Sequence, residues 1–261
     1  MAITTLDGYI GSSKQNVVYQ KTATVTSVAN QFTGVLQVAG NPGAGTLAVG
    51  NTTNGVIPDD TIAGYPIINT FGAGATGYLS RVEFSNSVLS NMALYDVVYA
   101  IGALAFNVDV SPTSPSWASR NGGSYVGLEL WIEAVTAFTG NQSIQVNYTD
   151  QDGNAGDTGV ITTGVAPIIS RMFQIPLAAG DNGLQAITRI RSTVSSAGTF
   201  NLYVMRKLWA NRVVLANVLA VDDMLKTGLP RVYEDSALKL VVQPDSTSSG
   251  TPRLLYEIAN G

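Results

Sequence analysis

The chain has 261 residues, 14 basic and 18 acidic, and a net charge of −4; charged residues make up only 12%, about half the roughly 25% usual for soluble domains. It contains neither cysteine nor histidine, which excludes disulfides, thiolate metal sites and every histidine-based triad. There is no basic footprint of a nucleic-acid binder, Arg206-Lys207 being the only adjacent basic pair, and no run of about 20 apolar residues that would cross a membrane.

Residues 1–35 read as an extended arm. Its start, MAITTLDGYIGSSKQ, lacks the basic and apolar regions of a signal peptide, so none is expected. Asn16–Val28 is β-branched enough for one strand. Residues 38–77 are dense in Gly, Pro, Asn and Thr, which suits turns and irregular loops rather than a helix or a central strand. Ile57, Ile62, Tyr65, Ile67, Ile68 and Phe71 punctuate this stretch and predict that it lies ordered along a surface.

Beyond residue 77 the sequence reads as one plan used twice. Leu128, Leu130 and Ile132 alternate with polar residues or Trp131, and after a polar turn Ile144, Val146 and Tyr148 alternate again. Period-2 alternation marks strands with one buried face, and the Gly140 turn between them reads as a hairpin. Leu238, Leu240 and Val242 repeat the first run 110 positions later (238 against 128), with Gly250 answering Gly140 and Leu254, Tyr256 and Ile258 the second run. Upstream, Arg81, Val82, Leu94 and Tyr95 match Arg189, Ile190, Leu202 and Tyr203 at a shift of 108 (189 against 81). Shifts this close argue for an internal duplication.

Each copy then supplies four strands, at 79–85, 92–99, 126–137 and 143–149, and at 185–193, 199–207, 236–243 and 252–258. The expected fold class is all-β: an antiparallel β-sandwich or jelly-roll built from two similar four-strand units, with the N-terminal arm and one short helix. The expected organisation is an arm and Gly/Pro-rich segment over 1–77, a first β unit over 78–177 and a second over 178–261, the two forming one sandwich or two in tandem. The helix is predicted at Leu215–Thr227, where Leu215, Val218, Leu219 and Leu225 can share a face and Gly228 and Pro230 supply a stop.

Candidate chemistry is sparse. Asp150, Asp152, Asn154 and Asp157 place oxygen ligands in one turn around Gly153, in the manner of calcium loops. The pattern departs from an EF-hand, since Gly153 comes one place early and no Glu closes the loop; Asp and Asn also populate hairpin turns for conformational reasons. Glu129 and Glu133 share a strand face roughly 13 Å apart at about 3.3 Å per residue, too far for the roughly 5–9.5 Å of sugar hydrolysis, and read as a solvated face. Asp59-Asp60 reads as a turn and Asp222-Asp223 as a helix face. Trp117, Trp131 and Trp209 are the residue type of a carbohydrate platform, but packing under a strand or subunit is the stronger reading of Trp131. No nucleophile elbow, phosphate loop or dinucleotide fingerprint is present; no catalytic residue and no cofactor is expected.

The opening TTLDGYI, the loop GNPGAG at 40–45 and the closing LPRVYEDSALKL at 229–240, in this Gly/Ala/Thr-rich setting, resemble virion proteins of tailed bacteriophages, some of them capsid decoration (cement) proteins. The resemblance implies a structural, non-enzymatic virion protein. It would sit on the outer surface of the capsid, be made in the host cytoplasm, and bind the major capsid protein and itself as a homotrimer, without nucleic acid or membrane. Two alternatives stay open: a neck, tail or head-fibre component, and a receptor- or glycan-binding module.

Overall fold

The computed structural model describes residues 3–164, 167–192 and 197–261. Met1 and Ala2 of the expected arm, and Thr193 at the end of one expected strand, lie outside them. The chain opens with helix α1 (Leu6–Gly11) and strand β1 (Ser13–Lys21), then short strands β2 (Thr33–Gly34), β3 (Gly40–Asn41) and β4 (Asn51–Val56). The first copy supplies β5 (Gly77–Ser85), β6 (Ser90–Ala105), β7 (Asp109–Val110), β8 (Leu128–Thr136) and β9 (Ser143–Asp150). Short strands β10 (Ala155–Asp157), β11 (Ile161–Thr162) and β12 (Met172–Ile175) connect the copies. The second copy supplies β13 (Leu184–Arg191), β14 (Thr199–Val213), β15 (Ala220–Asp222), helix α2 (Met224–Thr227), β16 (Arg231–Val232), β17 (Leu238–Pro244) and β18 (Arg253–Asn260).

The fold is all-β, with three antiparallel sheets. A central seven-stranded sheet runs β12-β8-β14-β6-β17-β2, with β4 on β6. A six-stranded sheet runs β15-β5-β18-β1-β3, with β16 on β5, and a five-stranded sheet runs β10-β9-β13-β7, with β11 on β9. The alternation in β8 and β17 explains the layering. Leu130 and Ile132 enter the core shared with the five-stranded sheet, and Leu240 and Val242 the core shared with the six-stranded sheet. Trp131 and Val241 point the other way, into a third core.

The two runs of each expected hairpin do not pair with each other. β8 lies in the central sheet while β9 lies in the five-stranded sheet, and β17 and β18 part in the same way. Both faces of alternation are used, but the turn between the runs turns a corner from one sheet to the next. Leu130 and Ile132 face Ile144 and Val146 across a core instead of along a ladder.

The copies interlock about a pseudo-twofold axis. Met205 pairs with Val97, and on either side Leu202 pairs with Ile101 as Trp209 pairs with Leu94. In the outer sheets Ile187, Ile190 and Arg191 face Tyr148, Val146 and Gln145, just as Leu79, Val82 and Glu83 face Ile258, Tyr256 and Leu255. Every sheet therefore takes strands from both copies. The register corrects the alignment in one place: Leu202 faces Ile132 where Leu94 faces Leu240, so Leu240 is equivalent to Ile132 rather than to Leu130. A slip of two residues preserves which side chains point inward, so alternation alone cannot detect it.

The segment read as an arm is built into the body. β1 lies inside the six-stranded sheet, paired to β18 from Ser13↔Asn260 to Gln20↔Arg253 and to β3 on its other side. The end of the arm and the Gly/Pro-rich stretch are laid over the third core: Leu36 and Tyr65 are buried there, and Phe32, Val49 and Val56 pack against it. Of its apolar punctuation, Tyr65, Ile68 and Phe71 are buried, whereas Ile62 and Ile67 are exposed.

Candidate interaction surface

The polar residues singled out in the sequence are mostly engaged within the chain. Asp150 Oδ1 accepts from the backbone N–H of Asp152 at 2.8 Å and of Asn154 at 2.7 Å, while its Oδ2 accepts from Asn154 Nδ2 at 3.1 Å. Burial alone would raise the Asp150 carboxyl, but these bonds outweigh it and hold it below the ordinary carboxylate range. Asp157 accepts from Gln145, Asn147 and the Gly159 N–H, and the Gln145 bond leads in lowering it. Asp152 accepts from Gln151. Gly153, at φ +93°, supplies the left-handed residue of this tight turn between β9 and β10. Among the described residues no three carboxylates are grouped to hold a metal ion.

Glu129 and Glu133 part company. Glu129 accepts from Trp131 Nε1 at 2.9 Å and pairs with Lys207 at 3.1 Å near the surface. Glu133 is fully buried, which corrects its reading as a solvated residue: its Oε2 accepts from Lys239 Nζ and from the Tyr203 hydroxyl, each at 2.9 Å. A second buried group, missed in the sequence, centres on Asp96, whose carboxylate binds Arg120 at 2.6 Å, Arg206 at 3.0 Å and Ser236 at 2.9 Å. Its members come from four separated stretches, and only the fold brings them together.

The three tryptophans are packing residues. Trp131 lies edge-on to Phe32 and Tyr95, Trp117 packs on Tyr99, and Trp209 packs on Phe84 and donates to Asp222 at 2.8 Å. Asp59 and Asp60 cap backbone N–H groups of the 61–68 turn, as a turn reading requires.

What remains unspent is apolar. The stretch predicted as a helix over Leu215–Thr227 is helical only at Met224–Thr227, where Asp223 caps the Leu225 and Lys226 N–H groups and Gly228 ends it in the left-handed region. Before it, Ala220–Asp222 forms β15 on the outer edge of the six-stranded sheet, with Ala220 facing Phe84 and Asp222 facing Val82. Pairing to an open sheet edge satisfies backbone groups that a solitary helix would satisfy alone, and tertiary context overrides the local propensity. The side chains meant for one helical face consequently stand in solvent: Leu215 is 61% exposed and Leu225 86%, with Val218 and Leu219 also exposed, and Val214, at 76%, and Val221 join them. At the far end of the same edge, α1 adds exposed Leu6 and Ile10, and Leu6 shares a shallow cleft with Met224. Asp222 is buried behind this surface, held by Trp209, Asn211 and Lys226.

No family model matches the chain. No curated protein matches it. Solved structures that match include chains of infectious bursal disease virus, Gt and Gx strains, and of its VP2 subviral particle. Each is 10% identical, covers 95% of this chain and 79–80% of its own, and superposes with a TM-score of 0.17–0.18. A TM-score this low carries no argument for fold or function.

Proposed function

We propose that the protein is a structural, non-enzymatic virion component of a tailed phage, seated on the outer surface of the capsid, where it bridges neighbouring capsid subunits. One observation carries this reading: a β body whose named polar side chains are mostly engaged internally leaves a row of large apolar side chains in solvent along one edge. Exposed apolar patches of this size mark surfaces that are covered in the working state. The stretches Thr4–Ile10, Gly40–Gly45 and Leu229–Leu240 support the virion setting by their resemblance to decoration proteins. Decoration needs no cleft and no reactive group. A chain that binds only the assembled shell stabilises that shell by linkage, because expansion or internal pressure must first break its contacts.

The test is to locate the chain in intact particles by imaging heads at side-chain resolution, and to measure release of packaged genome on heating with and without it. Density on the outer head shell and earlier release in its absence are expected. Absence from the head shell, including a position at the neck or tail, overturns the reading.

A further inference from the structure

We infer that the apolar edge formed by residues 214–225 and α1 is the contact for a second copy of this chain. This deepens the assembly reading above and rests on it.

The internal duplication supplies a control within the molecule. β7 and β15 hold equivalent places: Val110 faces Ile190 and Asp109 faces Arg191 in one copy, while Asp222 faces Val82 and Val221 faces Glu83 in the other. After β7 the chain turns inward. Trp117 is fully buried, 5.1 Å from the Tyr99 ring, and donates to the Leu184 carbonyl at 3.2 Å. From Phe106 to Arg120 no large apolar side chain is exposed. Around β15 the same place in the fold carries Val214, Leu215, Val218, Leu219, Val221 and Leu225, all exposed. The architecture therefore does not require an apolar edge here; this one edge is apolar for a reason outside the chain.

Three properties select another copy as the occupant. The first is area: eight large apolar residues, the six with Leu6 and Ile10, stand between 45% and 86% exposed, a surface on the scale of the about 800 Å² per partner in a standard stable interface. The second is charge. The chain carries −4 overall, so two copies repel, yet residues 212–226 balance Arg212 and Lys226 against Asp222 and Asp223. Asp222 is already paired with Lys226 at 3.1 Å, and Asp223 is spent capping α2. Along residues 212–226 copies can approach without opposing net charge, and α1 adds a single acidic residue, Asp7. The third is the backbone. β15 is the outermost strand of its sheet, with no strand paired to its outer side among the described residues, and an open edge pairs with an antiparallel copy of itself about a twofold axis. Such a contact joins copies in pairs; the trimer implied by the resemblance would need a further, head-to-tail surface.

The test uses the full chain. Sedimentation equilibrium from about 1 to 100 μM is expected to give twice the 27.3 kDa chain mass. The double variant Leu215→Glu, Leu225→Glu, at two exposed positions, is expected to halve that mass while keeping the wild-type circular dichroism and unfolding temperature; Val160→Glu, exposed elsewhere, is expected to keep the pair. Because the chain has no cysteine, Val221→Cys provides a reporter independent of how the Glu variants fold: mild oxidation is expected to yield a covalent dimer, and Val160→Cys to yield none. A wild-type monomer throughout the range, a double variant that stays paired, or equal cross-linking at both cysteine positions overturns the inference. A monomer that still decorates heads defeats the pairing alone, whereas a pair absent from heads defeats the virion reading alone.

Discussion

Lys239 Nζ lies 2.9 Å from Glu133 Oε2, and neither side chain is exposed at all. Glu133 sits on β8 from the first copy and Lys239 on β17 from the second, with β14 and β6 between them in the central sheet. Tyr203 on β14 donates to the same carboxylate oxygen and so bridges the span. The pair thus clamps the two copies across the middle of the molecule. Removing one partner leaves a buried charge with no counterion, which costs about 3–5 kcal/mol. Lys239→Met is therefore expected to lower the denaturant midpoint sharply, and Lys239→Met with Glu133→Leu to recover part of the loss; equilibrium unfolding in urea checks both.

The same carboxylate explains a glycine. A Cβ on Gly34 would fall on Glu133 Oε1, with Glu133 Cδ and Met172 Sδ close behind. Gly34→Ala must push a buried ion pair aside, and overpacking of this kind costs about 1–3 kcal/mol. Gly11→Ala, where nothing lies within 4 Å, serves as the neutral comparison in the same unfolding assay.

Glu133 also marks the limit of what alternation reveals. Its place on the Trp131 side of β8 cannot be turned into exposure or burial without knowing what covers that side, and the cover is the segment carrying Phe32, Leu36 and Tyr65, far away in the chain. The duplication was legible because matched side chains recur at nearly constant shifts, and it extends to the pairing partners of β5 and β13. Sheet membership was not legible: a turn after a strand reads the same whether it closes a hairpin or turns a corner. The apolar edge escaped for a related reason. Leu215, Val218, Leu219 and Leu225 have helical spacing, and only the pairing of β15 to β5 reveals that they have no core to face.

The Asp150–Asp157 turn is expected to be a turn and nothing more. The Asp150 carboxylate is occupied by two N–H groups and an amide, so calcium would have to displace bonds already made. Calcium at millimolar concentration is expected to leave the unfolding temperature unchanged and to give no heat on titration. Asp150→Ala, which removes the acceptor for those groups, is expected to lower it.

Stability should peak on the alkaline side of neutrality, and the sign follows from two kinds of buried group. Lys21 donates to the carbonyls of Pro42 and Gly43 but is almost wholly enclosed; burial first, then the nearby Lys239 charge, pulls its ammonium down to about 8. Between about pH 8 and the ordinary lysine value near 10.4 the unfolded chain holds a proton that the folded chain has released, so stability rises with pH across that window. Below it the cost of the buried charge is fully present. Tyrosines act in the opposite sense: burial pushes the Tyr99 and Tyr148 hydroxyls up to about 12, and it holds those of Tyr203 and Tyr256 well above the ordinary tyrosine value. Above about pH 10 the unfolded chain ionises its tyrosines while the folded chain cannot, and stability falls. With no histidine in the chain, no side chain of ordinary pKa titrates between pH 5 and 8, so the profile should be flat there. In acid, Asp150, Asp157 and Asp222, all held below the usual carboxylate range, lose their stabilising bonds as the pH falls through their folded values. Urea midpoints measured from pH 5 to 11 are expected to give a plateau, a rise beginning near 8 and a fall above 10. Lys21→Met is expected to abolish the rise while leaving the fall in place, a pattern that general charge repulsion across the surface would not produce.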